Sequence, residues 1–357
     1  MTMRRAAVAM AAIVAVGSAV AQAPPFAWDI PAPFPKPPVP ADNAMSAAKV
    51  ELGRRLFYDR RMSVNGAQSC ASCHRQELAF TDGLARAVGT TGEMHPRGSM
   101  SLANIGYSPA LTWADPVTTA LEAQALVPMF GTEPVELGLR GMEGRFLAVL
   151  QRDSVYQRLF GRVPRIVASR RSIHDCQRVK AIAAFERTMV SMRSPYDRRR
   201  HGGEPNALSE SASGGAVPLA TAGRVLPAPR WLELQRGGTP RRRTGSGAVV
   251  SFNTSRQPAG ETSFRRATPG SIGSRGGPTD VGFRPPTLRS DRGDGAVHDD
   301  GSIATLGEVL DHYAAGGRTI AAGPTRAWGA PTRTRRPTAR LCDDGGEKRD
   351  GSRSRRA

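Results

Sequence analysis

The sequence predicts a mainly α fold, and three observations carry that expectation. Apolar residues over the first two hundred positions recur at three- and four-residue spacing, as on one face of a helix. No stretch alternates apolar and polar residues as a half-buried strand would. Gly- and Pro-bearing loops punctuate the periodic segments. At 357 residues the chain has room for two domains of ~150 residues each. It divides into a leader at 1–23, a Pro-rich lead at 24–45, an intact N-terminal helical domain at 46–205 and a largely irregular, degraded C-terminal part at 206–357.

The leader has Arg4 and Arg5, an apolar run from Ala6 to Val20, and Ala21-Gln22-Ala23 as an A-x-A cleavage site. It reads as a secretory signal. The apolar run falls short of the ~20 residues a membrane span needs, so no span is expected after cleavage. Pro24 to Pro40 should be extended and lie on the surface. Ser46 is placed to cap a helix running to Tyr58, with Val50, Gly53 and Phe57 on one face, Leu52 and Leu56 beside them, and the glycine allowing another helix close. Ala79 to Leu111 is loop-rich. A short helix follows from Leu121 to Leu126, stopped by Pro128. Glu143 to Phe160 reads as one helix with Phe146, Leu147, Leu150, Leu159 and Phe160 inward. Arg178 to Met192 is another, with Val179, Ile182, Phe185 and Met189 at helical spacing. From Ser213 to Arg275 no window holds enough apolar residues for a core. Pattern returns at Phe283 to Arg289 and in a helix marked by Ile303, Leu306, Val309, Leu310 and Tyr313, capped by Ser302 and ended by Gly316-Gly317.

Between the first helix and the loops stands Cys70-Ala71-Ser72-Cys73-His74. CxxCH is the attachment signature of a c-type haem: two thiols bond the haem vinyl groups and the histidine is the proximal iron ligand. A disulfide, half a zinc site and a thioredoxin-like pair are the alternatives. Zinc needs two more ligands at similar spacing, and no second CxxC exists. A redox CxxC sits in a βαβ context, which the pattern lacks. Haem attachment takes place outside the bacterial cytoplasm, so leader and motif support each other and place the mature chain in the periplasm. Cys176 and Cys342 have no assigned role.

The formal charge is +19, yet only four of the 50 basic residues are lysine. The arginines come with Gly, Pro, Ser and Thr where apolar periodicity vanishes, without the interleaved aromatics of a nucleic-acid surface. They read as a property of GC-rich DNA, and no nucleic-acid partner is expected.

From Trp28 to Leu139 the chain resembles the di-haem cytochrome c peroxidase and MauG family, and within it the MbnH-type enzymes associated with methanobactin clusters. The carrying segments are ELGRRLFYDRRMSVNGAQSCASCH (Glu51 to His74), AFTDG (Ala79 to Gly83), HPRGSMSLAN (His95 to Asn104), LTWADP (Leu111 to Pro116) and LEAQALVPMFGTEPVELG (Leu121 to Gly138). AAFERT, SPYDR and the later DGSIATLGEVLDHYAAGGRTIA continue the likeness. The resemblance implies cytochrome c-like domains, one haem in each, and a reaction with hydrogen peroxide. The implied partner is an electron-donor cytochrome or copper protein, or a substrate protein whose tryptophan is oxidised. It also implies roles. Cys70, Cys73 and His74 hold the peroxide-reactive haem, Glu136 is the distal carboxylate, Gln124 a distal hydrogen-bond donor, Trp113 the aromatic between the haems, and Arg97 a group at the haem edge. Without the family, Glu136 would read as a surface carboxylate and Trp113 as core packing. His95 does not stand at the spacing of a distal ligand and reads as a loop residue. Gly98 stands where many relatives have an asparagine ligand for calcium, which leaves calcium in question. A mono-haem electron carrier is the competing reading, against which Gln124 and Glu136 speak.

The family's second CxxCH is missing after Leu208-Ser209-Glu210-Ser211. Codons permitted for Phe264 to Arg275 can read PPRNTGLYRIT in another frame. Those from Arg224 to just past Trp231 can read VFCQHHGG, and those for Arg292 to His298 can read TAPYM. The stretch Arg165 to Arg178 is open to the same reading, which would make His174 and Cys176 accidental. A shifted reading frame is therefore expected, leaving one covalent haem site in the chain as written.

Overall fold

A computed structural model describes residues 25–32, 34–113, 118–163, 173–221, 287, 289 and 303–314. The leader, the stretch 222–286, Ser302 and Cys342 lie outside these residues, as do the side chains of His174 and Cys176. The described residues are mainly helical and contain no strand. Isolated antiparallel bridges join Arg75 to Thr81 and Val88 to Met94.

The first helix, α1 (Ala47–Tyr58), begins as its sequence requires: the Ser46 hydroxyl accepts the Lys49 N–H at 3.3 Å. It buries Leu52, Gly53, Leu56 and Phe57. Helix α7 (Ile173–Glu186) crosses it closely. A Cβ on Gly53 would collide with the Ala181 carbonyl and come within 3.0 Å of the Phe185 Cβ, so the crossing requires a residue without a side chain. Ala181, Ala183 and Ala184, all buried, keep the facing surface small. Beside the crossing, the Phe57 and Phe185 rings meet edge to face at 5.4 Å. Around this contact lies one apolar cluster drawn from α1, α7 and the short helices α3 (Leu121–Gln124), α4 (Leu126–Phe130), α5 (Glu143–Arg152) and α6 (Ser154–Arg162).

Three element boundaries differ from the sequence reading. Pro128 does not stop a helix; it lies in the first turn of α4, where its missing N–H has no helical partner to lose. Glu143 to Phe160 is two helices, because Asp153 leaves helical geometry and its carboxylate accepts the Val155 and Tyr156 N–H groups, capping α6. Helix α7 starts before Arg178 and ends at Glu186, with Met189 buried beyond its end. The C-terminal helix α10 (Leu306–Ala314) is closed by Thr305, whose hydroxyl accepts the Glu308 N–H while the Glu308 carboxylate accepts the Thr305 N–H. Leu306 and Leu310 on α10 are exposed, the latter by 70 %.

The Pro-rich lead is extended and lies along the surface as expected, with Phe34 turned inward and the Pro35 carbonyl accepting the Tyr107 hydroxyl at 2.6 Å. It is locked by buried charges. Arg187 and Asn43 both donate to Glu122, Lys49 donates to Asn43, and Lys180 pairs with Asp42 at 2.8 Å. Farther along, α8 (Pro195–His201) opens with Pro195 in its first turn and a reciprocal Ser194–Asp197 cap. The cap residue also holds the C-terminal segment, because Asp197 takes both terminal nitrogens of Arg289 at 2.8 and 2.9 Å, with both side chains buried. A twelve-residue helix, α9 (Glu210–Thr221), follows α8.

Substituting Gly53 by Ala should lower stability by ~1–3 kcal/mol, because α7 must move away, and urea unfolding will read this. Arg289→Leu leaves Asp197 buried and uncompensated and should cost ~3–5 kcal/mol. Burial alone would raise the Asp197 pKa, but the Arg289 and Ser194 hydrogen bonds hold it below the ordinary carboxylate value. The contribution of this pair is therefore complete above about pH 4 and is lost as pH falls through the lowered pKa. A pH series of unfolding curves on the parent and Arg289→Leu chains should converge in acid.

Candidate haem site

The attachment motif folds as a single helical turn, α2 (Cys70–Cys73), capped reciprocally by Ser69 and Ser72. Three-residue spacing on a helix puts the two thiols on one face, and the His74 N–H bonds back to the Cys70 carbonyl at 3.0 Å. Both cysteines are free and half-buried. Burial pushes the Cys73 thiol up to about 11 and the Cys70 thiol higher still.

The His74 ring is fixed by the AFTDG turn. Arg75 and Thr81 pair their backbones at 2.9 Å, the Phe80 N–H bonds the Arg75 carbonyl at 2.8 Å, and the Phe80 carbonyl meets His74 Nδ1 at 2.8 Å. A proton on Nδ1 serves this contact, and the Met100 backbone engages the ring as well. Burial holds the imidazole pKa below its usual value against the raising pull of that carbonyl, which favours the neutral ligand form. The turn is made by Ala79 and Phe80, both at positive φ (57° and 63°). Non-glycine residues there carry strain of ~1–2 kcal/mol each.

The HPRGSMS segment lies against the same motif. Ser99 hydrogen-bonds the Cys73 thiol, and the Ser101 hydroxyl donates to the Ala79 carbonyl at 2.7 Å. Trp113 donates its indole N–H to the Gly98 carbonyl at 3.1 Å, so it is tied to the loop that also carries the half-buried Arg97. On the other side stands Glu136. Its carboxylate acts electrostatically on both Cys70 and Cys73, and burial alone raises its pKa to about 7. Gln124 ends α3, half-buried, and among the described hydrogen bonds none joins it to Glu136. It reaches that neighbourhood through α4, where the Pro128 and Met129 carbonyls accept the Leu137 and Leu139 N–H groups at 2.9 Å. The His95 ring is engaged with the Val135 carbonyl.

These residues fit a covalently bound haem: two thiols on one face, an oriented imidazole whose neutral form burial favours, and a carboxyl that acts electrostatically on both thiols. At Gly98 a Cβ would lie 2.8 Å from the Leu84 carbonyl oxygen, and the glycine's own carbonyl accepts the Trp113 N–H. No cluster of three or more His, Cys, Asp or Glu able to hold a metal ion occurs among the described residues.

A sequence model of the family described as di-haem cytochrome c peroxidase matches residues 47–205. The chain is 33 % identical to the cytochrome-c peroxidase IdrP1 of Denitromonas iodatirespirans, over 88 % of this chain and 85 % of that one. It belongs to the di-haem cytochrome c peroxidase and MauG family. It is also 31 % identical to the methylamine utilization protein MauG of Methylorubrum extorquens strain AM1, over 78 % of this chain and 72 % of the relative. Among solved structures, a MauG-like protein associated with microbial copper homeostasis superposes with a TM-score of 0.68 at 36 % identity, covering 84 % of this chain and 85 % of that one. As a member of this family the protein is a peroxidase-type oxidoreductase whose cofactor is haem c.

Sequence reasoning assigned no role to Phe80, whose contribution is a backbone carbonyl and leaves no side-chain signature. It also passed over Glu93, Asn65 and Gln68, whose partners are far away in the chain. It quoted AAFERT without separating Glu186, a buried carboxyl whose pKa burial raises to about 8 and which bears electrostatically on Cys70. The strain at Ala79 is testable: Ala79→Gly should raise stability by up to about 1 kcal/mol, whereas the β-branched Ala79→Val should lower it, both read by thermal unfolding.

Proposed function

We propose that the protein is a periplasmic haem peroxidase in which Cys70 and Cys73 anchor the haem, His74 is its proximal ligand, and Glu136 moves the proton that peroxide cleavage requires. One observation carries the reading: a carboxyl whose pKa burial raises to about 7 lies close enough to both attachment thiols to act on them electrostatically. Reduction of hydrogen peroxide to two waters takes two electrons and two protons, and the haem supplies the redox-active iron. A carboxylate at Glu136 accepts a proton from the near peroxide oxygen and returns it to the departing one, and a pKa close to the working pH suits both transfers. Gln124 donates a hydrogen bond on the same side, Trp113 relays electrons between this site and the rest of the protein, and Arg97 pairs with the haem edge.

The electrons come from a protein, either a small cytochrome or copper protein, or a partner whose tryptophan is oxidised. The 36 % identity to a MauG-like protein associated with microbial copper homeostasis favours the second source. The leader at 1–23 supports export, and no described helix is long and apolar enough to cross a membrane. The region after residue 206 is the remnant of a second haem domain whose reading frame has shifted. The single CxxCH and the exposed Leu306 and Leu310 of α10 support this. The competing reading of a mono-haem carrier needs no buried acid beside the haem.

Glu136→Gln keeps the shape and removes the proton acceptor, so stopped-flow reaction of the haem-loaded protein with peroxide should slow by ~10²–10⁴. The parent rate should rise with pH through about 7 as the carboxylate forms, and the variant should lose that inflection. An unchanged rate would remove Glu136 from the proton path. A pyridine haemochrome assay should find one haem per chain, and exported protein should begin at Pro24.

A further inference from the structure

The backbone around Glu136 is gripped by a hairpin that ends at Arg97. Residues 87–97 fold back on themselves: Ala87 N–H bonds the Arg97 carbonyl at 3.1 Å, His95 N–H the Ala87 carbonyl at 2.8 Å, and Gly89 N–H the Glu93 carbonyl at 2.8 Å, with Gly92 at the tip at φ 85°. This hairpin holds the peptide units next to Glu136. The Glu93 carboxylate accepts the Val135 N–H at 2.9 Å, and the His95 ring hydrogen-bonds the Val135 carbonyl. The Thr90 N–H donates to the Glu136 carbonyl at 2.8 Å. Close approach is possible because residue 89 is glycine; a Cβ there would collide with the Val135 carbonyl.

The other side of the hairpin is tied to the attachment motif. Asn65 Nδ2 donates to the Thr90 carbonyl at 2.8 Å and Gln68 Nε2 to the Val88 carbonyl at 3.0 Å, and Gln68 is two residues from Cys70. Val64 N–H completes the circuit at the Leu137 carbonyl, 2.9 Å away. A continuous hydrogen-bonded path thus runs from the haem-attachment loop through the hairpin to the backbone of the acid.

We infer that Glu93 and His95 are positioning residues, which clamp the N–H and the carbonyl of Val135 and thereby fix the Glu136 carboxyl toward the attachment thiols. This rests on the reading of Glu136 as the proton carrier. It gives His95 a place in the reaction without making it an iron ligand. Burial holds the His95 pKa below the usual imidazole value, and the neutral ring needs only one N–H for this contact. Positioning to a fraction of an ångström is worth large factors in rate, so loosening one peptide beside the acid is felt at the reaction.

The test uses haem-loaded Glu93→Ala and His95→Ala with the conservative Glu93→Gln and His95→Gln, which keep an acceptor and a donor. Amide hydrogen exchange over residues 131–137 should quicken by about three- to tenfold in the alanine variants, the scale of one lost hydrogen bond, and stay near the parent rate in the conservative ones. The peroxide reaction should slow by about tenfold or more in the alanine variants, with the inflection near pH 7 displaced, and recover within about twofold in the conservative pair. Unchanged exchange in both alanine variants overturns the clamp whatever Glu136 does. Quickened exchange with a parent-like rate and pH profile, while Glu136→Gln is slow, overturns the positioning role and leaves the Glu136 reading intact. Quickened exchange with Glu136→Gln itself at the parent rate overturns that reading, and the positioning role with it.

Discussion

The crossing of α1 over α7 is the contact on which the rest of the domain depends. Two helices can approach this closely only where the facing surface is backbone and methyl groups, and Gly53 against Ala181 provides that surface. The approach brings Phe57 and Phe185 together, and Phe57 in turn lies 6.4 Å from the His74 ring. The His74 imidazole thus stands beside aromatic rings brought together by the crossing. Widening it would disturb the proximal side of the site before touching either cysteine.

The site built on that floor divides its work between backbone and side chains. Carbonyls do the orienting: Phe80 holds the His74 ring, and Gly98 holds the Trp113 indole. Side chains supply the reactive groups of the site: two thiols, one imidazole and one carboxyl. Strain is concentrated in the orienting part, at Ala79 and Phe80, where left-handed backbone aims a carbonyl inward. The buried charges of Glu122 and Arg187, and of Asp197 and Arg289, are paired. Glu136 is not held in this way; burial is what shifts it, and this leaves its proton available to a reactant.

Membership of the family and the chain as written stand in an instructive relation. The residues for one haem are complete and mutually positioned, from the Ser69 cap to the Phe80 carbonyl. Arg289 is held by Asp197 of α8 and Ile303 is buried, while the sequence has one CxxCH motif.

How much was legible follows from the range of the interactions. Helix α1 with its Ser46 cap, the haem motif and the inward face of α5 and α6 were readable, because caps, periodicity and CxxCH are local signals. The break at Asp153 was missed, since an aspartate inside a periodic stretch is as compatible with an exposed helical position as with a cap; packing of Tyr156 on Asp59 helps decide it. For Glu136, Gln124 and Trp113 the resemblance supplied the names, whereas only the fold could supply burial. A carboxyl has an ordinary pKa until neighbours distant in sequence remove its water. The sequence by itself determined the helical class and the haem attachment motif, because their information lies within a few residues. Tertiary structure alone decided the orientation of the His74 ring, the raised pKa of Glu136 and the contacts on Val135, because each depends on groups the chain brings together only when folded.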